Sequence, residues 1–177
     1  KQMFTELGAS AIVDGQQTMN PSAEDFLAAF KRVNAEKLVV LPNNSNIIMA
    51  AQQAAALVDR NVIVVPTKTM MQGISAALAY SDDVDVDTNV ERMSTAIQNM
   101  LSGSVTYAVR DTQFNGTKIN QGDIIGLLDN TITQVGTSVD AVAVSLLCEM
   151  IDKKDEEAMA TIFYGEGADE SNAQAVA

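Results

Sequence analysis

Three polar stretches in the first half of the chain gather side chains suited to holding a carboxylate, phosphate or carbonyl. They are Asp14-Gly-Gln-Gln-Thr-Met-Asn-Pro-Ser22, Leu41-Pro-Asn-Asn-Ser-Asn46 and Pro66-Thr-Lys-Thr-Met-Met-Gln-Gly73. Each follows an apolar, strand-like run and leads into a helical pattern. Short hydroxyl and amide groups beside a helix N-terminus add to the unpaired backbone N–H groups there, a chemistry better suited to binding than to catalysis. Lys68, between Thr67 and Thr69, is the one cation inside these loops and can neutralise an anion. A plainer role is equally open, in which Asn43, Ser45 and Thr67 only cap helices.

Other chemistry is sparse. Histidine is absent from the sequence, which removes the commonest general base, the Ser-His and Cys-His nucleophile pairs and the usual transition-metal ligand. The single cysteine, Cys148, rules out an intrachain disulfide and any multi-cysteine zinc site, and its apolar surroundings, Val142 to Ile151, predict a buried core residue. Neither G-x-G-x-x-G nor G-x-x-x-x-G-K-[ST] occurs, so a dinucleotide or ATP site of those kinds has no support. The aspartates of Ser81–Asp87 lack the glycine and glutamate of a calcium loop, leaving a solvated turn whose Asp87 caps the next helix. Arg110 and Asp111 are a further candidate pair. Neighbours in a strand face opposite ways, so each needs another partner, either structural at the sheet edge or in recognition.

The elements that must position these residues follow from periodicity. After a helical fragment at Gln2–Leu7, strands are expected at Ala11–Val13, Lys37–Leu41 and Asn61–Pro66. Between them lie helical patterns at Ala23–Val33 and Asn46–Val58, the first opened by a capping box of Ser22 and Asp25 behind Pro21. A repeat of about 25 residues of strand, loop and helix is the pattern of an open parallel α/β sheet, and right-handed crossovers place all three loops at the carboxyl edge of the strands. A short helix at Ile74–Tyr80 and a longer one from Asp87 to Gly103 continue the pattern.

From there the pattern changes to a β-meander, about 104–134: Ser104–Phe114, Thr117–Ile119, Ile124–Leu128 and Thr131–Gln134. Asn115-Gly116 and Asp129-Asn130 are its hairpin turns. A capping box at Thr137–Asp140 opens a helix to about Ile151, and Ala160–Tyr164 gives a last strand. Asp155–Glu157 is a solvated helix end, and Glu170–Ala177 starts another helix. The fold class expected is α/β: an open, mainly parallel sheet with flanking helices plus a short antiparallel meander.

With 177 residues, 47% apolar and 19% charged, the expectation is one soluble domain over 1–177. No apolar stretch approaches the roughly 20 residues of a membrane span, and the N-terminus lacks a signal-peptide layout, so a cytoplasmic location is expected. The net charge of −12, with dispersed cations, disfavours nucleic acid and anionic membrane as partners.

Four motifs in order, Gly15-Gln-Gln-Thr-Met-Asn-Pro-Ser22, Leu41-Pro-Asn-Asn-Ser-Asn-Ile47, Val64-Val-Pro-Thr-Lys-Thr69 with Gln72-Gly73, and Val105-Thr-Tyr-Ala-Val-Arg-Asp-Thr112, carry a resemblance along nearly the whole chain. It resembles the C-terminal domain of the catalytic component of bacterial fatty acid kinase, whose family is also called dihydroxyacetone-kinase-like or DAK phosphatase domain proteins. Gln16 stands where the family pattern has a second glycine.

The resemblance implies a larger kinase. It would carry an N-terminal domain that binds ATP and magnesium, none of which this domain would hold, and further residues beyond Ala177 that complete the sheet. The kinase would phosphorylate a fatty acid held by a separate DegV-type binding protein, giving acyl phosphate for phospholipid synthesis. A homodimer would arise through the full-length protein. The C-terminal domain is itself similar to the first domain of DegV proteins, whose T-S-Q-P-S loop resembles Thr18-Met-Asn-Pro-Ser22. On that likeness Thr18, Asn20, Ser22, Asn43, Asn44, Asn46, Thr67, Lys68, Thr69 and Gln72 form a surface inherited from a ligand site and turned towards the carrier.

Three functions are therefore carried forward. The first is a non-catalytic docking domain for the acyl carrier, and the second a stand-alone fatty-acid or small-anion-binding module. The third is a dihydroxyacetone-type kinase component, which without histidine or a phosphate loop needs a carboxylate pair that the sequence does not place together.

Overall fold

The computed structural model describes residues 2–14, 20–98, 100–114, 116–154, 159–165, 173, 174 and 176. The chain divides into two compact units, Lys1–Met100 and Leu101–Ala177.

In the first unit, α1 (Gln2–Glu6) precedes α2 (Ala23–Arg32), β1 (Lys37–Val40), a single 3-10 turn at Ser45–Ile47, α3 (Ile48–Ala56), β2 (Asn61–Val64), α4 (Met70–Ala79) and α5 (Val86–Gln98). The expected capping box opens α2. Ser22 Oγ accepts the Asp25 N–H at 3.3 Å, and the Asp25 carboxylate accepts the Ser22 N–H at 2.8 Å. The Ser22 N–H and the Ser22 hydroxyl, both donating to the carboxylate, hold the Asp25 carboxyl below its ordinary value. At the other end of α2 the Arg60 guanidinium donates to the carbonyls of Phe30 (2.8 Å) and Val33 (2.9 Å), of which Phe30 also accepts the Val33 N–H at 3.4 Å.

Strands β1 and β2 pair in parallel, Lys37 opposite Asn61 through Val40 opposite Val64. Their residues alternate between two apolar layers, which is why both runs read as continuously apolar. Leu38, Val40, Val62 and Val64 pack with Phe26, Phe30, Ile47, Ala51 and Ala54 of the α2 and α3 side. Val39, Leu41 and Val65 pack with Ala76 and Met93 of α4 and α5.

The second unit is built on a three-stranded antiparallel sheet in the order β3-β6-β7 (Gly103–Tyr107, Ile124–Leu128, Thr131–Gly136). Asp129 and Asn130, at φ 48° and 68°, make the tight turn between β6 and β7, as an Asp-Asn pair is suited to do. A separate hairpin, β4 (Thr112–Phe114) and β5 (Thr117–Ile119), brings Phe114 and Ile119 against Ile125 and Leu127 of β6. The helix α6 (Val139–Asp152) lies close on the sheet: a Cβ on Gly136 would sit 2.7 Å from Val142 Cγ2, and one on Gly126 would sit 3.1 Å from Val142 Cγ1. Helix and strands approach because those positions carry no side chain.

Several boundaries differ from expectation. Ala11–Val13 and Ala160–Tyr164 are not strands; a strand needs a neighbour, and these runs form no ladder among the described residues. The run Ser104–Phe114 breaks at Ala108–Asp111, where the chain turns to be tied to the 120–123 turn. Helix α5 runs to Gln98, and Gly103 begins β3 instead of closing the helix. Its cap is Asp85, whose carboxylate accepts the Thr88 N–H at 2.9 Å, while Asp87 sits inside the first turn. Ser138, not Thr137, caps α6. Cys148 is exposed: α6 buries Val142 and Leu146, and a residue two places further on points about 200° around the helix from Leu146. Asp155–Glu157 and the start of the Glu170–Ala177 helix lie outside the described residues, although positions 173, 174 and 176 are helical.

Candidate functional site

The loops that leave the carboxyl ends of β1 and β2 form one hydrogen-bonded structure. Thr67 is wholly buried between them. Its hydroxyl oxygen accepts the backbone N–H of Asn43 at 2.9 Å and donates its own proton to Asn43 Oδ1 at 2.8 Å. Asn43 takes a left-handed backbone at φ 61°, a conformation that asparagine tolerates better than most residues. Residues 24 apart in sequence are thus clamped side by side by two neutral hydrogen bonds between a buried Thr67 and a half-buried Asn43.

The rest of the edge is fixed locally. Asn44 Oδ1 accepts the Asn46 N–H at 2.9 Å and so opens the 3-10 turn that leads into α3. Thr69 Oγ1 accepts the Gln72 N–H at 3.2 Å as the cap of α4. The Gln72 amide oxygen reaches back to the Lys68 N–H at 2.7 Å. The Asn46 and Lys68 side chains face solvent, whereas Gln72 is buried.

The helix expected at Ile74 in fact starts at Met70. Gly73, expected to end the loop, lies buried within the first turn and a half of α4. The Thr69-x-x-Gln72 spacing is a capping signature that marks the true start.

Of the first polar loop, Thr18 lies outside the described residues, Asn20 is exposed, and Ser22 is the cap of α2 already noted. Arg110 and Asp111 belong to the second unit. Asp111 Oδ1 accepts the Gln121 N–H at 2.8 Å, a bond to a turn, and Arg110 is exposed; neither residue is in a strand. Among the described residues no group of three or more His, Cys, Asp or Glu could hold a metal ion, and no helix is long and apolar enough to cross a membrane.

What the edge offers is neutral donors and acceptors in fixed places, with one lysine at its rim. An open cleft of about 440 Å³ lies elsewhere, lined by Asn34, Ala35, Glu36, Asp59 and Arg60 where the two strands begin.

Comparison with known proteins gives this edge its context. The FakA-like C-terminal family profile, which describes the C-terminal part of A-like fatty acid kinase subunits, matches residues 1–177. Protein YloV of Bacillus subtilis (strain 168) is 48% identical over 174 residues, covering 97% of this chain and 31% of that protein. The uncharacterized protein SAR1202 of Staphylococcus aureus (strain MRSA252) is 37% identical over 170 residues, covering 96% of this chain and 31% of its own. The same identity and coverage hold for SAUSA300_1119 of strain USA300. The chain therefore spans about a third of the length of these curated relatives. It belongs to the FakA-like C-terminal family of fatty acid kinase subunits.

Proposed function

We propose that this chain is a non-catalytic docking domain of a fatty acid kinase. It receives a DegV-type acyl carrier so that the bound fatty acid is phosphorylated by ATP and magnesium in a nucleotide-binding domain elsewhere in the full-length protein. The observation that carries the reading is the clamped edge of Asn43, Asn44, Thr67, Lys68 and Thr69, whose polar groups are held by neutral hydrogen bonds. An edge built this way recognises a surface by shape and hydrogen bonding. Proton transfer calls for a titratable group, and the Asn43, Asn44, Thr67 and Thr69 side chains carry none; Lys68 is read as a charge that meets the partner.

Isothermal titration calorimetry of the chain against a DegV-type protein loaded with palmitate tests this. Saturable binding is expected, with Asn44→Ala and Lys68→Ala each weakening it several-fold and the lysine effect shrinking as salt rises. No heat with several acyl-loaded carriers would sink the proposal. Palmitate retained by the chain alone in native mass spectrometry would instead favour a stand-alone acyl-binding module.

A further inference from the structure

The clamp has a third member that offers no side chain. Gly73 lies in α4 with its Cα directed at the Asn43 amide. A Cβ there would overlap Asn43 Oδ1, and would lie 2.5 Å from its Cγ and 2.8 Å from its Nδ2. Real Cβ atoms essentially never approach other atoms so closely, so the Asn43 side chain occupies the volume that any other residue at 73 would fill. Gly73 is not in a left-handed conformation, and its backbone is ordinary helix. A glycine in a helix interior costs stability relative to alanine, so its presence calls for a local reason. The reason here is space.

We infer that Gly73 is the positioning residue of the loop edge. It makes no polar contact through a side chain, yet it admits the Asn43 amide to the place where that amide can bond Thr67, and so locks the β1 loop to the β2 loop. Asn43 has few ways to yield. Its backbone N–H and its side-chain oxygen are both bonded to the same Thr67 hydroxyl, so backbone and side chain are held together. A methyl group on residue 73 must therefore push the amide off Thr67 and unlatch the loops. The dependence of carrier affinity on this lock rests on the docking function proposed above, whereas the lock itself does not.

The test is a double-mutant cycle of Gly73→Ala with Asn43→Gly, the latter chosen because glycine accepts the left-handed backbone while removing the amide. Amide hydrogen exchange is read at Asn43 N–H, with Val39 and Val40 of β1 as internal references. In the otherwise native chain, Gly73→Ala is expected to speed exchange at Asn43 at least about tenfold, leave Val39 and Val40 within about twofold, and lower the melting temperature. In the Asn43→Gly background, Gly73→Ala is expected to leave the melting temperature unchanged or raise it, because the methyl now has room and alanine is the better helix former.

Equal losses in both backgrounds, or Asn43 exchange unaltered by Gly73→Ala, would overturn the inference. Should Gly73→Ala alone fail to fold, the double variant decides: folding like Asn43→Gly supports the lock, and failure refutes it. Calorimetry with the palmitate-loaded carrier separates the two proposals. A lock confirmed by exchange in a chain that binds no carrier removes the docking function and leaves the positioning role standing.

Discussion

The Asn43–Thr67 pair in the first unit and the Glu149–Gln134–Lys153 group in the second both tie separate elements together, one from neutral groups around a buried threonine and the other around a charge near the surface. Thr67 is wholly buried and exchanges two hydrogen bonds with Asn43. Glu149 of α6 accepts a hydrogen bond from Gln134 of β7 at 2.9 Å and pairs with Lys153 one turn along its own helix, also at 2.9 Å. A buried neutral pair contributes modestly when made and costs more when half of it is removed, because the remaining group has lost water as well as its partner. The surface pair is screened by solvent and salt. The first network fixes a geometry, whereas the second tunes a charge.

The largest effect is expected where the neutral pair is broken. Thr67→Val keeps the shape and deletes the hydroxyl, leaving the Asn43 N–H and amide oxygen without their partner at a cost of about 1–3 kcal/mol. Urea unfolding followed at amides of the first unit reads it, and a loss below that of an ordinary surface substitution would remove the distinction drawn here. A smaller loss, about 1 kcal/mol, is expected for Thr69→Ala, which removes the cap of α4 and leaves the clamp in place. The same denaturation measurement ranks the two, and the account requires Thr67→Val to be the worse.

The charged network responds to pH instead. Lys153 and Gln134 draw the Glu149 carboxyl from its ordinary 4.5 down to about 2. A depressed carboxylate contributes stability that is fully present above the unfolded value of 4.5 and is lost as the pH falls towards 2. Lys153→Met should therefore raise the Glu149 pKa towards the usual range in a carboxyl NMR titration, with Gln134 keeping part of the shift. Over the same acid range the Asn43–Thr67 hydrogen bonds should hold, since neither side chain titrates there, and Asn43 exchange corrected for intrinsic rate should show no step through the Glu149 titration.

How much of this is legible in sequence follows the range of each interaction. Ser22 with Asp25 and the Asp129-Asn130 turn are readable because every group involved lies within a few residues. The alternation that covers β1 and β2 on both faces is readable from unbroken apolar runs. The Asn43–Thr67 bond is not, since nothing local in either loop says that the other will be adjacent. Sequence marks both residues as cappers or binders, and the structure makes them clamp members while Asn44 and Thr69 do the capping. The third loop is expected to run to Gly73, but that glycine lies inside α4, packed against Asn43. Ala11–Val13 and Ala160–Tyr164 show the converse, strand-like composition without a ladder among the described residues.

The central claim, that the clamped edge receives the acyl carrier, is tested most directly by titrating the isotopically labelled chain with a palmitate-loaded DegV-type protein and mapping backbone amide shifts. Perturbations are expected to concentrate at Asn43–Asn46 and Thr67–Gln72, with the amides around Glu149 and Lys153 unmoved. Saturable binding whose perturbations fall elsewhere, with the edge silent, would contradict it.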